Sequence, residues 1–277
     1  MSVATAAGVP VLQPLETLYE EPGLPALDLS DELETAYGGP LSFSGPRLYA
    51  NFVASVDGVV ALPNVLQSSH LLAAGSEADR FVMGLLRASA DAVLVGAGTL
   101  SGSPRSHWTA EHAYPPAAEL YAELRRSRGR PPQPTLAVLS GAGTIDPQHP
   151  GLAGPTVVLT STEGAARLGG RLPHSARIVP LGGAPTVDPV AAVEALRAGG
   201  HELILCEGGP TVFAALVAAG LVDELFLTIS PLLAGRDPSS PRPGLIEGAE
   251  LLPARTVDAR LLSLRRSRSH LFVRYAL

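Results

Sequence analysis

Four short apolar runs, ADAVLVG, TLAVLSG, TVVLT and HELILC, recur along the chain between segments patterned for helices. A strand that is apolar throughout, instead of alternating, must be covered on both faces. Runs of this kind separated by helices restrict the chain to an α/β class with a mainly parallel central sheet and right-handed crossovers. RLYANFVAS (47–55) opens the series as a first strand and ends at the turn SVDG. A helix follows, with Ser76 as its N-cap and Asp79 three residues on; Phe81, Val82, Leu85, Leu86 and Ser89 mark its buried face. Further helices are expected over 116–129, near 163–170, over PVAAVEALRAGG and over 210–220.

The rhythm changes at the end. RLLSLRRS and HLFVRYAL have no helix between them, which predicts an antiparallel hairpin added to the sheet edge beside DELFLTISP. RRSRS (265–269) reads as its solvated tip. Residues 1–45 hold Pro, Gly and acids with weak periodicity and read as an N-terminal arm, with a helix near Ser30–Tyr37. The alternation is unbroken afterwards, so 46–277 is expected to be a single domain without internal repeats.

Residue types exclude whole chemistries. All 20 basic residues are arginine, so no Schiff-base lysine and no P-loop lysine can be built. The single cysteine, Cys206, rules out an internal disulfide and a multi-cysteine metal site, and in an apolar strand it reads as a core residue. No G-x-S-x-G occurs, which disfavours an α/β-hydrolase. His107 and His112 stand five apart in a Pro-flanked loop and read as a surface pair, not metal ligands. A net charge of −6 gives no reason to expect nucleic-acid or membrane binding. Arg47 is the first basic residue, so the start lacks the charge of a secretory signal, and a cytoplasmic protein is expected.

Two loops are rich in bare backbone. The strand ADAVLV runs into Gly96-Ala97-Gly98-Thr99, and the strand HELILC runs into CEGGPT (206–211). Glycine there lets a ligand approach N–H groups that a side chain would cover. A full dinucleotide fingerprint would need glycine at 101, where Ser101 stands. Pro210 suits the first helical turn, and Thr211 with the unpaired N–H groups beside it would form an anion site. Glu207 would repel a phosphate and is better suited to accept a hydrogen bond from a second, neutral ligand. SVDG reads either as an Asp-Gly turn or as a polar pair, Ser55 and Asp57, lining the same crevice.

NFVASVDG, SEADRFVMGLLRASADAVLVGAGT and LILCEGGPTVFAALVAAGLVDELFLTISPLLAG occur in that order. Together they resemble the reductase half of the bifunctional riboflavin-biosynthesis deaminase–reductase, and most nearly the stand-alone pyrimidine reductases. The deaminase half is absent, since its zinc site needs more than one cysteine. The resemblance implies a three-layer dihydrofolate-reductase-like fold and NADPH as hydride donor. The implied substrate is 5-amino-6-(5-phosphoribosylamino)uracil or a similar pyrimidine, whose ribosyl group becomes ribityl. It further implies that Val53, Gly96, Ala97, Gly98 and Thr99 touch the nicotinamide half of the cofactor. Gly208, Gly209, Pro210 and Thr211 would hold its pyrophosphate, and Asn51, Ser69, Arg87 and Glu207 would contact the substrate. Ser55 and Asp57 would frame the reacting centre, the proton coming from Asp57 or an ordered water. A homodimer is implied too, with Leu221 to Leu227 and the last hairpin apolar enough to pack the partner.

The chain departs from the family pattern in two places. Asn51 stands where bifunctional members have lysine, and SGSPRSHW replaces a D-D-P segment whose later arginine binds substrate phosphate; Arg105 is the candidate substitute. A dihydropterin-type reductase and a non-catalytic nucleotide-binding protein therefore stay open as alternatives.

Overall fold

The computed structural model describes residues 12–25, 29–41, 43, 45–240 and 242–277. Among them, ten strands form one sheet: β1 (Glu16–Glu20), β2 (Arg47–Ser55), β3 (Ala92–Gly96), β4 (Thr135–Leu139), β5 (Thr156–Thr160), β6 (Ala176–Pro180), β7 (Leu203–Cys206), β8 (Glu224–Ser230), β9 (Arg260–Ser267) and β10 (His270–Ala276). Their spatial order is β1-β9-β10-β8-β2-β7-β3-β4-β5-β6. From β8 to β6 every neighbour is parallel, whereas β10, β9 and β1 add antiparallel strands. The chain moves outward from β3 to β6, then returns to insert β7 between β2 and β3. That reversal is the place where an open α/β sheet leaves a crevice beyond its strand ends.

The helices are α1 (Asp31–Tyr37), α2 (Ser68–Leu72), α3 (Glu77–Ser89), α4 (Ala97–Gly102), α5 (Ala110–Ala113), α6 (Ala118–Ser127), α7 (Thr162–Leu168), α8 (Pro189–Ala198) and α9 (Pro210–Ala218). A large core on each face of the sheet explains the continuous apolar runs. Val93, Val95 and Leu205 join Phe81, Leu85 and Tyr121 of α3 and α6. The alternate residues Leu94, Ile204 and Cys206 join Leu196 and Phe213 of α8 and α9. Each central strand thus supplies side chains to both layers, which gives the three-layer arrangement. Cys206 is fully buried, and its thiol is pushed up to about 12 by that burial, so it is an inert core residue.

Local choices agree with this plan. Ser76 caps α3 by accepting from the Asp79 N–H at 3.1 Å, and Ser30 caps α1 in the same manner. The last turn of α3 is fixed from outside: Arg125 of α6 donates to the carbonyls of Ala88 (3.1 Å) and Ala90 (2.7 Å). Tyr49 of β2 donates to the carbonyl of Leu86 at 2.8 Å.

The arm carries more structure than its periodicity suggests. β1 pairs with β9, so it forms the sheet edge and the terminal hairpin lies one strand inside. β1 is mostly exposed and is held by charge: Glu16, Glu20 and Glu21 pair with Arg266, Arg265 and Arg260. Arg265 is buried with its guanidinium 4.2 Å over the Tyr37 ring, which ties α1 to β9. Only Arg268 and Ser269 lie between β9 and β10, so the expected solvated tip is shorter than RRSRS. No helix among the described residues is long and apolar enough to cross a membrane.

Candidate active site

Beyond the carboxyl ends of β2, β3, β4 and β7 lies a crevice of about 970 Å³. That is the upper end of the range for small-molecule and cofactor sites. Each strand end delivers part of the wall: Asn51 and Val53 from β2, Gly96 from β3, Leu139 from β4 and Glu207 just past β7. α2 adds Ser69, and α3 presents Asp79, Arg80, Met83 and Arg87, which at this spacing share one helical face.

The two glycine loops meet at the floor. A Cβ on Gly96 would lie 2.9 Å from Val212 Cγ2, and one on Gly208 would lie 3.1 Å from the Gly96 nitrogen. These glycines let the start of α9 pack directly on the β3–α4 junction, where the expected loop is replaced by a helix that begins at Ala97 straight after Gly96. Gly208 is therefore not part of the crevice wall; it lies behind it as a packing residue. Gly209 faces Thr99, whose Oγ1 would be 3.3 Å from a Cβ there, and both residues line the crevice with Ala97, Gly98, Pro210 and Thr211. No side chain caps α9, and Pro210 occupies its first position. The Val212 and Phe213 N–H groups already donate to the Gly209 carbonyl, at 3.0 and 3.2 Å, so the N–H that this turn leaves for an anion is that of Thr211, a residue of the crevice wall.

Arg87 and Glu207 form a buried ion pair. Arg87 Nε donates to Oε1 at 2.9 Å, Nη2 donates to Oε2 at 2.7 Å, and Nη1 donates to the Thr109 carbonyl at 3.2 Å. Their side chains are 6% and 8% exposed. The two residues expected at the substrate are indeed together on the wall, but they address each other first. The remaining lone pairs of Glu207 are what a ligand donor can reach.

Ser55 and Asp57 are not brought to the wall. Both Asp57 oxygens accept backbone N–H groups, from Ala234 at 3.0 Å and Gly235 at 2.7 Å, and the Ser55 hydroxyl donates to Oδ1 at 2.5 Å. These bonds, the Ser55 hydroxyl foremost, hold the Asp57 carboxyl well below the usual carboxylate range. Arg236 adds a clamp to the Asp57 and Gly58 carbonyls, both at 2.9 Å. SVDG is thus a turn tied to the segment after β8, and Asp57 is unsuited to supply a proton.

The group that sequence reading missed is Asp79. It lies on the crevice wall, half-buried, with its pKa raised to about 6; burial raises it and a hydrogen bond from Thr228 partly offsets the effect. Its N–H completes the Ser76 cap, a role that conceals the carboxyl. The signal was available in the two charged residues Asp79 and Arg87, at i and i+8 on one face of a largely apolar helix.

The segment SGSPRSHW also takes an unexpected course. Trp108 is buried at φ 53, a costly conformation for a bulky residue, and packs on His149 with ring centroids 5.7 Å apart. His149 Nε2 meets the Ser103 carbonyl at 3.1 Å. Ser103, Ser106 and Trp108 line the crevice, whereas Arg105 is exposed and outside the wall, so it does not substitute for the missing phosphate arginine. His107 and His112 meet ring to ring at 5.0 Å on the neighbouring surface.

The fold is similar to that of proteins with solved structures. A pyrimidine reductase-like protein from Corynebacterium diphtheriae superposes with a TM-score of 0.63 at 26% identity, covering 84% of this chain and 92% of that one. Riboflavin biosynthesis reductase Rib7 of Saccharomyces cerevisiae shares the fold, with a TM-score of 0.57 at 14% identity over 87% of this chain and 93% of its own. In sequence, the 2,5-diamino-6-ribosylamino-4(3H)-pyrimidinone 5′-phosphate reductase of Archaeoglobus fulgidus is 29% identical over 196 residues, 69% of this chain and 84% of that protein. Residues 46–267 match the RibD C-terminal domain, which covers most of the sequence, and the chain belongs to that family.

Proposed function

We propose that the protein is an NADPH-dependent pyrimidine reductase of the riboflavin pathway. Its substrate would be 5-amino-6-(5-phosphoribosylamino)uracil or the related 2,5-diamino pyrimidinone, and the ribosyl group would be reduced to ribityl. The observation that carries this reading is the meeting of two glycine loops at the sheet reversal, beside the buried Arg87–Glu207 pair, in one crevice. The family and the Archaeoglobus fulgidus relative support the reaction class.

The residues present fit a dinucleotide. Gly98 lies in the first turn of α4, where a Cβ would meet nothing within 4 Å, so open space for a ligand adjoins that turn on the crevice side. Gly209, Pro210 and Thr211 would take the pyrophosphate on the uncapped start of α9. Val53, Gly96, Ala97 and Thr99 would border the nicotinamide, which supplies the hydride when bound. The chain's own part is position, charge and one proton. Asn51 and Ser69 with the Arg87–Glu207 pair would orient the substrate. Asp79, with a carboxyl near pH 6, would donate the proton that accompanies reduction.

A homodimer remains part of the proposal, on a different surface from the one expected. Val222, Leu225 and Phe226 are buried inside the chain, whereas Leu233 is 80% exposed just beyond β8. Sedimentation across concentrations tests it, and a monomer throughout would remove it. The test of the function itself is NADPH oxidation followed at 340 nm with the phosphoribosylamino-pyrimidine, where turnover is expected with NADPH and not without the pyrimidine. Absence of turnover despite NADPH binding would reject the substrate.

A further inference from the structure

We infer that Arg80, with Ser69 and His70 beside it, seats the phosphate of the substrate; this rests on the reading of the crevice as a sugar-phosphate reductase site. Among the described residues, two arginines line the crevice, Arg80 and Arg87. Arg87 is committed: Glu207 takes its Nε and Nη2, and the Thr109 carbonyl takes Nη1. With its charge neutralised inside the wall, Arg87 has little left to offer a phosphate.

Arg80 differs in each respect. It lies seven residues earlier on α3, two turns along the same face, roughly 10 Å from Arg87 along the axis. Its contacts are an ion pair with Glu77 at 3.7 Å, the two side chains 41% and 66% exposed, and the Tyr114 ring, whose centroid lies 5.9 Å from the guanidinium carbon. Such exposed i,i+3 pairs hold weakly and are readily exchanged for a better anion. Ser69 and His70, adjacent on α2, line the same crevice, so a hydroxyl and an imidazole join a guanidinium around one volume. Arg80 and Arg87 both lower the pKa of His70, behind the larger effect of burial, which shows the positive field there. Among the described residues, the carboxyls on the wall are Glu207, already paired, and Asp79. Asp79 has a raised pKa and takes up a proton more readily as an anion arrives. An arriving phosphate would therefore help keep Asp79 in the protonated form that a proton donor needs.

The arrangement places the sugar phosphate on α3 at one end and the pyrophosphate of the dinucleotide on α9. The missing family arginine in SGSPRSHW is then replaced from another element, not from Arg105.

The test is calorimetric titration of the protein with ribose 5-phosphate and with ribose, in wild type, R80A and R80K, alongside NADPH titrations and steady-state kinetics. Wild type should bind the phosphate sugar and not ribose. R80A should weaken ribose 5-phosphate by roughly 10- to 100-fold, the range of a charge-assisted contact, with R80K between the two. In R80A the KM for the phosphorylated pyrimidine should rise by a similar factor while kcat changes less and NADPH affinity stays within about twofold. Equal ribose 5-phosphate affinity in wild type and R80A, or no binding in wild type, would overturn the inference. Arg80-dependent binding without turnover would uphold the seat while rejecting the proposed reaction.

Discussion

Replacing Glu207 by alanine should cost more than any other single change in the crevice wall. The variant leaves Arg87 in place, its side chain 6% exposed and its Nε and Nη2 without the carboxylate. Removing one partner of a buried pair costs about 3–5 kcal/mol, because the survivor is an uncompensated charge in a poorly polarisable site. Little of that is recovered from solvent at such low exposure. For 277 residues the entropy of unfolding is about 0.6 kcal/mol/K, so the melting temperature should fall by about 5–8 °C. Differential scanning calorimetry at pH 7 measures it. Replacing both partners, as in Arg87→Met with Glu207→Leu, removes the stranded charge and should restore most of the lost stability while abolishing turnover. A melting temperature for E207A within about 1 °C of wild type would refute the reasoning, since the pair would then be no more than an exposed contact.

Other changes separate the roles of neighbouring residues. Gly209→Val should weaken NADPH by at least about tenfold with little loss of stability, because the added side chain meets Thr99 and the crevice and not the core. Gly96→Val should lose both, since its Cβ would lie 2.9 Å from Val212 and overpacking costs about 1–3 kcal/mol. Asp79→Asn should lower turnover by about 10²–10⁴-fold. With Asp79 as the proposed proton donor the protonated acid would be the active form, so kcat/KM should fall as pH rises through about 6. The stability sign follows from the same shift: the raised pKa favours the fold at low pH, and the benefit disappears above about 6, so Asp79→Asn should melt higher than wild type at pH 8. Asp57→Asn should retain turnover within about tenfold, because its carboxyl ties a turn and does not face the wall; loss on the scale expected for Asp79 would reverse that assignment.

The central sheet was legible because burial on both faces writes itself into every residue of β3 and β7. The glycine loops were legible for a related reason: close backbone contact tolerates no side chain, and Gly96 and Gly208 stand where the loops touch. What escaped has physical causes as well. β1 is exposed and held by arginine–glutamate pairs with β9, so it leaves no hydrophobic period to read. Short α2 and α4 have five and six residues, too few to show a helical repeat. Asp57 lies off the crevice wall and Asp79 on it, and neither position could be read locally, because both sit in ordinary motifs, an Asp-Gly turn and an N-cap box. Only the packing of β8 and the segment after it decides which carboxyl is satisfied and which is left on the wall.

The most direct test of the account is a fluorescence titration with NADPH followed by turnover on the phosphoribosylamino-pyrimidine, in wild type and in Gly209→Val. The account predicts saturable NADPH binding and pyrimidine-dependent oxidation in wild type, both lost in a variant that still melts within about 2 °C of it. Unimpaired NADPH binding in Gly209→Val, or no binding in wild type, would contradict the claim that the two glycine loops form a cofactor site.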